Sequence, residues 1–285
     1  MQAEALAARV WPGRVCELEP IGGGITNHNF KVVVDGEAYV LRIGGKDTEL
    51  LGIDRRAEYQ ASLAAASLGV GPEVIGFLEP EGYLVTRFIE GGPVDVHVPE
   101  TLARVGETLR LIHDGPPVRA RFDAFRVVET YRATADARGV SIPSAYARAS
   151  ELAAAIERAR GRQPLRPCHN DLLNANFIAD GERLRIVDWE YAGMGDIFFD
   201  LANFAVNNDL DEAEQRKLLG AYFGETRDSD LAVMRLMRFM SEFREAMWGV
   251  VQQGISELDF DFAAYADEHF ERLEQRSRDL GDFGA

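Results

Sequence analysis

Two short stretches in the middle of the chain carry side chains that could transfer a phosphoryl group: residues 168–176 and 186–190. Asp171 is a carboxylate that could accept the proton of an attacking hydroxyl, and four residues separate it from Asn176. The oxygens of Asn176 and Asp188 are of the kind that Mg²⁺ accepts together with nucleotide phosphates. The residue types and their spacing therefore indicate Mg²⁺-dependent phosphoryl transfer to a hydroxyl.

A predicted hairpin lies between the two stretches. Residues 177–179 and 184–187 have strand patterns, and Asp180-Gly181 is a turn pair expected to supply the positive-φ residues. Because a hairpin brings its ends together, Asn176 and Asp188 are expected to face one ion. Each piece alone is common, since an Asp in such a loop often only caps a backbone amide. Their order, with a hairpin between them, favours the catalytic interpretation.

Composition and charge set the outer limits of the interpretation. The 285 residues, 46% hydrophobic, suffice for one large domain or two lobes. Cys16 and Cys168 show no metal-ligand spacing, which favours a reducing compartment, although a single disulfide is the alternative. The chain start lacks the features of a signal peptide, and no apolar stretch is long enough to cross a bilayer. We therefore expect a cytoplasmic protein, monomer or homodimer, that does not bind a membrane.

The formal net charge of −16 disfavours nucleic-acid binding, whose affinity normally comes from clustered Lys and Arg. The same charge would attract a cationic small substrate, but it is equally typical of a solvated acidic surface. We therefore expect a small-molecule substrate and no nucleic acid.

The pattern of the chain changes near residue 90. Strand patterns at 30–34, 39–43 and 83–89, with one helix at 55–68, predict a small β-rich lobe. Helical patterns then follow at 99–113, 127–137, 144–160, 211–223, 230–253 and 262–280. We predict an α+β fold of two lobes, an N-terminal nucleotide-binding lobe at 1–90 and a mainly helical catalytic and substrate-binding lobe at 91–285, with the active-site cleft between them.

Several residues of the first lobe are candidates for binding a nucleotide. A glycine-rich turn precedes the first strand pattern, and glycines let backbone amides approach phosphates, although a flexible turn has the same composition. The turn contains Gly22, Gly23, Gly24, Thr26 and Asn27. Arg42, on the next strand, could bind phosphate oxygens or pair with a neighbour, and Glu58 is its candidate ion-pair partner. By position alone, backbone groups of Arg87, Phe88 and Ile89 could contact adenine.

Five segments together resemble the bacterial-type choline/ethanolamine kinases, within the aminoglycoside phosphotransferase and protein kinase-like superfamily. They are residues 22–27, 40–43, 169–172, 188–193 and 200–203, and the resemblance spans nearly the whole chain. Arginine at position 42 resembles choline kinases, whereas aminoglycoside phosphotransferases usually carry lysine there. The resemblance implies a bilobal protein kinase-like fold and ATP- and Mg²⁺-dependent phosphorylation of a small amino alcohol, choline or ethanolamine.

The resemblance also implies roles for individual residues. Asp171 would be the catalytic base, and Asn176 and Asp188 would bind Mg²⁺. Asp200 would support the catalytic loop, and His169 would be a structural buttress rather than an acid or base.

The acceptor site is implied less directly. Trp248 and Tyr265 are the candidate cage for a cationic acceptor, because a quaternary ammonium is held by aromatic faces and carboxylates; they could equally be core aromatics. This chain has Glu245 where eukaryotic choline kinases tend to add a second tryptophan, and Asn207 where they place an acidic residue. The full set of candidate acceptor contacts is Asp171, Glu190, Asn207, Glu245, Trp248 and Tyr265.

Other functions stay open on the sequence alone. The acceptor could be an aminoglycoside, thiamine or a sugar, or the chain could bind a nucleotide without catalysing a reaction. Metal-dependent hydrolysis by Asp171, Asp188 and His169 would explain the carboxylates, but it would leave the glycine-rich turn and Arg42 without a role.

Overall fold

The N-terminal part of the protein is built on one antiparallel sheet. The computed structural model describes residues 2–22, 27–181 and 183–280. The strands are β1 (Glu17–Ile21), β2 (Asn27–Val34), β3 (Glu37–Gly44), β4 (Val74–Leu78) and β5 (Tyr83–Arg87). They lie in the order β1-β2-β3-β5-β4. Asp35 and Gly36 join β2 to β3 with φ of 53° and 84°, as a tight turn with two positive-φ residues requires.

Two helices flank this sheet. Helix α1 (Gln2–Val10) packs Leu6 and Ala7 into a small core with sheet residues such as Val32. Helix α2 (Arg55–Ser67) begins where Asp54 accepts hydrogen bonds from two backbone amides, and it ends before Gly69, which has a φ of 71°. Ala61 and Ala65 on the buried face of α2 belong to the larger hydrophobic core, most of which lies in the second lobe. Helix α2 therefore ties the two lobes together.

The C-terminal part is mainly helical. Its helices are α3 (Pro99–His113), α4 (Ala124–Ala137), α5 (Ala145–Arg160), α6 (Ile197–Asn207), α7 (Glu212–Phe223), α8 (Asp228–Ile255) and α9 (Phe262–Asp279). The long helix α8 packs against α4, α5, α6, α7 and α9. Its central residues are buried on all sides, so even charged side chains on α8 lie in the protein interior.

Short strands frame the predicted catalytic stretch. Strand β6 (Arg166–Cys168) pairs with β9 (Gly193–Gly195), and β7 (Phe177–Asp180) pairs with β8 (Arg183–Ile186). The hairpin prediction is confirmed, but the turn differs in one detail. Asp180 belongs to β7 and pairs with Arg183, so of the two predicted turn residues only Gly181 has a positive φ, 58°.

The α+β prediction, with a β-rich N-terminal part and a helical C-terminal part, is confirmed. Helix α4 begins three residues earlier than predicted, because Asp123 accepts hydrogen bonds from the backbone amides of Phe125 and Arg126. The boundary near residue 90 stays a prediction; Gly92 there exchanges backbone hydrogen bonds with Ala179 of the hairpin. In the part of the chain that the structure describes, no helix combines the length and apolar character needed to cross a membrane.

Candidate active site

Asp171 lies in the loop between β6 and β7, with 13% of its side chain exposed. Its backbone amide donates to Nδ1 of His169 over 3.3 Å, and its carbonyl accepts from Nδ2 of Asn176 over 2.9 Å. The carboxylate Oδ1 lies 3.3 Å from NH1 of Arg244. The loop backbone is therefore held on both sides of a carboxylate that faces the cleft.

Asp200 of α6 holds the start of this loop. Its two carboxylate oxygens accept the backbone amides of His169 and Asn170 over 2.7 and 2.6 Å. Nε2 of His113 lies 3.0 Å from the same carboxylate, and Nδ1 of His113 lies 2.7 Å from the hydroxyl of Tyr222. His113, Cys168 and Asp200 lie close enough to suggest a metal site, but these hydrogen bonds already engage both oxygens of Asp200. The cluster is a support for the loop.

Both ring nitrogens of His169 are engaged within the protein. Nε2 donates to the carbonyl of Val187 over 3.0 Å, and Nδ1 accepts from the amide of Asp171. Burial lowers the pKa of this imidazole, so the ring stays neutral. A metal-dependent hydrolase that used His169 as a ligand would need one of these nitrogens, so the geometry disfavours that alternative.

The hairpin brings Asn176 and Asp188 to one edge of the cleft. Asn176 lies before β7 and Asp188 after β8, and the amide of Val187 donates to the carbonyl of Asn176 over 3.0 Å. Because Nδ2 of Asn176 donates to the loop, its Oδ1 is the atom left to bind a cation. Asp188 has a φ of 69°, a left-handed conformation that non-glycine residues adopt uncommonly, Asp and Asn more often than most. One amide oxygen and one carboxylate fit Mg²⁺, which takes few protein ligands and keeps room for phosphates.

Arg42 of β3 crosses the cleft to this edge. Its guanidinium lies 2.5 Å from Asp188, 3.2 Å from Glu58 of α2 and 3.1 Å from Glu190. Arg42 and Glu58 therefore form an ion pair, as predicted from the sequence. Glu190, one of the candidate acceptor contacts, is buried beside Arg42, and burial raises the pKa of its carboxyl.

Arg55 is a second arginine in this cluster that the sequence analysis missed. It lies 2.8 Å from Glu58 and 3.0 Å from Glu190, and it donates to Oδ1 of Asn27 over 3.0 Å. A Cβ at Gly44 would lie 2.9 Å from this guanidinium, so a larger residue there would require Arg55 to shift. The contacts of Arg55 reach residues up to 135 positions away, a relationship that local sequence patterns do not contain.

The other predicted nucleotide contacts are less defined. Gly22 is exposed after β1, while Gly23, Gly24 and Thr26 lie outside the described residues. Asn27 donates to Glu190 over 2.9 Å, so its side chain anchors the end of the glycine-rich turn. The amides of Arg87 and Phe88 donate to the carbonyls of Glu73 and Ala38, so these two amides are already engaged within the protein.

Helix α8 places the predicted acceptor residues beside Asp171. NH1 of Arg244 contacts both Asp171 and Glu245, and the hydroxyl of Tyr265 on α9 donates to Glu245 over 3.1 Å. Trp248 is 6% exposed, and its ring centre lies 5.5 Å from that of Tyr265. The structure therefore brings together the three acceptor residues predicted on α8 and α9, and adds Arg244, which the sequence analysis did not single out.

Asn207 is placed differently from these residues. It is the last residue of α6, and besides Asp200 the side chains that hydrogen-bond the catalytic loop from this region are those of Asn203 and Asn208. Oδ1 of Asn203 accepts the amide of Leu172 over 2.6 Å, and Nδ2 of Asn208 lies 3.4 Å from the carbonyl of Leu172. Asn203 and Asn208 thus hold the catalytic loop through the backbone of Leu172.

The electrostatic environment of Asp171 is unusual for an aspartate. Burial raises its pKa to about 7, and the negative charges of Glu245, Asp188 and Glu190 act in the same direction, against Arg244. A carboxyl with a pKa near neutrality can accept a proton and release it again at physiological pH. The arrangement suits a general base.

This chain is similar to known proteins in sequence and in structure over most of its length. Residues 17–237 match the family described as "Phosphotransferase enzyme family". Protein LicA of Haemophilus influenzae is 27% identical over 88% of this chain and 99% of its own length.

Solved structures agree with the sequence comparisons. A choline/ethanolamine kinase family protein from Mesorhizobium loti is 31% identical with a TM-score of 0.83, covering 99% of this chain and 97% of that one. LicA in complex with AMP has a TM-score of 0.81 at 22% identity, covering 98% and 97%. The chain therefore belongs to the phosphotransferase enzyme family and, within it, to the choline/ethanolamine kinase family.

Proposed function

We propose that this protein transfers the γ-phosphoryl group of ATP, with Mg²⁺, to the hydroxyl of a small amino alcohol, choline or ethanolamine. The contact that supports the proposal most is the bridge from Asp171 to Glu245 through NH1 of Arg244. It makes the proposed base adjoin a cluster of side chains that contains a carboxylate and aromatic rings. Such a cluster suits an alcohol that carries a positive charge.

The transfer would be a direct displacement. The acceptor oxygen forms a bond to the γ-phosphorus while the bond from phosphorus to the β-γ bridging oxygen breaks, and ADP leaves. The hydroxyl proton passes to the carboxylate of Asp171. Asn176 and Asp188 would hold Mg²⁺, which supplies positive charge to the phosphates when bound.

The nucleotide side would rely on Arg42. Its guanidinium can bind two phosphate oxygens at once, and Glu58 and Glu190 hold it in place. Arg42 also pairs with Asp188, a proposed Mg²⁺ ligand, so its guanidinium lies beside the position proposed for the metal and the phosphates. A solved LicA structure that resembles this chain contains AMP, which supports a nucleotide in the cleft.

The test is release of ADP from Mg-ATP with choline, ethanolamine, thiamine, an aminoglycoside and a sugar in parallel. We expect choline or ethanolamine to give the highest kcat/KM. A different dominant acceptor would reject the proposed acceptor class but keep the phosphotransfer chemistry. ATP binding without transfer to any acceptor would favour a non-catalytic protein.

A further inference from the structure

Arg244 and Glu245 form a buried ion pair on the acceptor side of the cleft. Their side chains are 2% and 6% exposed. The guanidinium of Arg244 also lies 4.4 Å from the ring centre of Tyr191, within the range of a cation–π contact, and 3.3 Å from Asp171. A cation of the protein itself thus occupies an aromatic face and a carboxylate that a cationic ligand could use.

The neighbouring rings pack on one another. Trp248 makes T-shaped contacts with Tyr265 at 5.5 Å and with Phe262 at 5.7 Å, and its Nε1 donates to the hydroxyl of Tyr191 over 3.1 Å. A quaternary ammonium has no N–H donor, so it depends on open aromatic faces. To reach the face of Tyr191 it would have to displace Arg244, and to reach the face of Trp248 it would have to separate packed rings.

The balance of charge among these side chains nevertheless favours one additional cation. When Asp171 is ionised, it and Glu245 carry two negative charges against the single positive charge of Arg244. Glu245 Oε2 accepts one hydrogen bond from Tyr265, and a carboxylate oxygen can accept a second. The hydroxyl oxygen of Tyr265 can also accept one. An ammonium with N–H donors could therefore bind here while Arg244 stays in place.

We propose that Arg244 determines acceptor specificity by reserving the site for an ammonium group that donates hydrogen bonds, in preference to a quaternary one. The inference rests on the proposed function and deepens it, because it assigns ethanolamine rather than choline as the preferred class of acceptor. Arg244 acts here by occupying space and charge, and it takes no proton from the acceptor.

The test is kcat/KM for ethanolamine, its N-methyl and N,N-dimethyl derivatives, and choline. Loss of a required hydrogen bond reduces kcat/KM more than an added methyl group does, so the largest single decrease should accompany the last methylation, which removes the last N–H. We expect ethanolamine to exceed choline by about tenfold or more.

The matched variant is the double substitution Arg244→Met with Glu245→Gln. It removes both charges of the pair, so neither partner is left as an unpaired buried charge. We expect the ethanolamine-to-choline ratio to decrease by about tenfold. Arg238→Met is the control, since Arg238 is a half-buried arginine on the same helix that contacts Gln215, and it should leave the ratio unchanged. The ratio of the two kcat/KM values is used because a smaller folded fraction of a variant lowers both values by the same factor. The factor therefore cancels from the ratio.

The outcomes are distinct. Choline used as well as ethanolamine by the unmodified protein, or a ratio that the double variant leaves unchanged, would overturn the role of Arg244 while the proposed function stands. If no member of the series is phosphorylated although ATP binds, the proposed function itself fails, and this inference fails with it.

Discussion

Arg42 and Asp188 lie 146 residues apart in the sequence, yet the guanidinium of one donates to the carboxylate of the other over 2.5 Å across the cleft. One comes from the sheet of the first lobe and the other follows the hairpin of the second. Their predicted roles, phosphate contact and metal ligand, require them to face the same part of ATP. The pair joins the two halves of the proposed nucleotide site.

Substitution of Arg42 should weaken ATP binding. Arg42→Ala removes a charged donor to phosphate, worth about 2 kcal/mol or roughly 30-fold in the KM for ATP. Arg42→Lys keeps the charge but loses the bidentate geometry, so its effect should be smaller. Steady-state kinetics at saturating acceptor measure both.

The control for these variants is Arg56→Ala, which changes an exposed arginine that pairs with Glu79. It should leave the KM for ATP unchanged. An unaltered KM in the folded Arg42→Ala protein would remove Arg42 from the phosphate site.

Asp188→Asn should raise the concentration of Mg²⁺ required for half-maximal rate. The substitution keeps the shape of the side chain but removes the negative charge that would face the cation. We expect an increase of about tenfold or more, since changing even indirect partners of metal ligands costs that much. Asp180→Asn is a matched control, because Asp180 lies at the other end of the same hairpin and pairs with Arg185. Equal Mg²⁺ requirements in the two variants would contradict the assignment of Asp188.

The raised pKa of Asp171 predicts a pH-dependent cost to stability in the ligand-free protein. Its pKa is about 7 in the folded state and near 4 in the unfolded state, so the folded state holds the proton more tightly. The ionised form therefore destabilises the fold fully above pH 7, and the cost disappears as the pH falls toward 4.

Asp171→Asn removes this cost. It should stabilise the protein at pH 8 by up to about 4 kcal/mol and have little effect at pH 4 to 5. Urea denaturation of both proteins at the two pH values measures the difference. A variant that is less stable at pH 8 than the unmodified protein would show that the ionised carboxylate of Asp171 does not destabilise the fold.

Asp200 should be important for stability as well as activity. Asp200→Ala would leave the buried amides of His169 and Asn170 without acceptors, and each unpaired group costs about 1–3 kcal/mol. Urea denaturation should show the loss, while Asp267→Asn, an exposed change on α9, should show none. Wild-type stability in the Asp200→Ala protein would mean that the loop does not depend on these bonds.

The sequence could predict those parts of the fold whose signals are local. The strand patterns at 30–34 and 39–43 located one hairpin, the helical pattern at 55–68 located α2, and the spacing of Asp171, Asn176 and Asp188 located the proposed catalytic stretch. Helix α1 and strands β1 and β4 were missed, because these segments are short and carry weak patterns. Their positions depend on the rest of the sheet, which α1 covers and which β1 and β4 extend at its two edges.

The parts of the site that were not predicted depend on contacts between distant segments. Glu190 follows the Asp-Trp pair, and only the folded chain shows that its carboxylate meets Arg42 and Arg55. Arg244 occurs among other charged residues of α8, and in sequence it resembles a solvent-facing arginine. Its burial follows from the packing of five helices around α8, which no local window of sequence contains.

The most direct test of the account is transfer of the γ-phosphoryl group in a single turnover, comparing the unmodified protein with Asp171→Asn and with the control Asp180→Asn. The acceptor is ethanolamine or choline, whichever the unmodified protein uses better, and ATP binding is measured on the same samples. The account predicts that Asp171→Asn binds ATP but transfers its phosphoryl group at least about a hundredfold more slowly, as expected for loss of a general base. Transfer at the unmodified rate by folded Asp171→Asn protein would contradict the central claim.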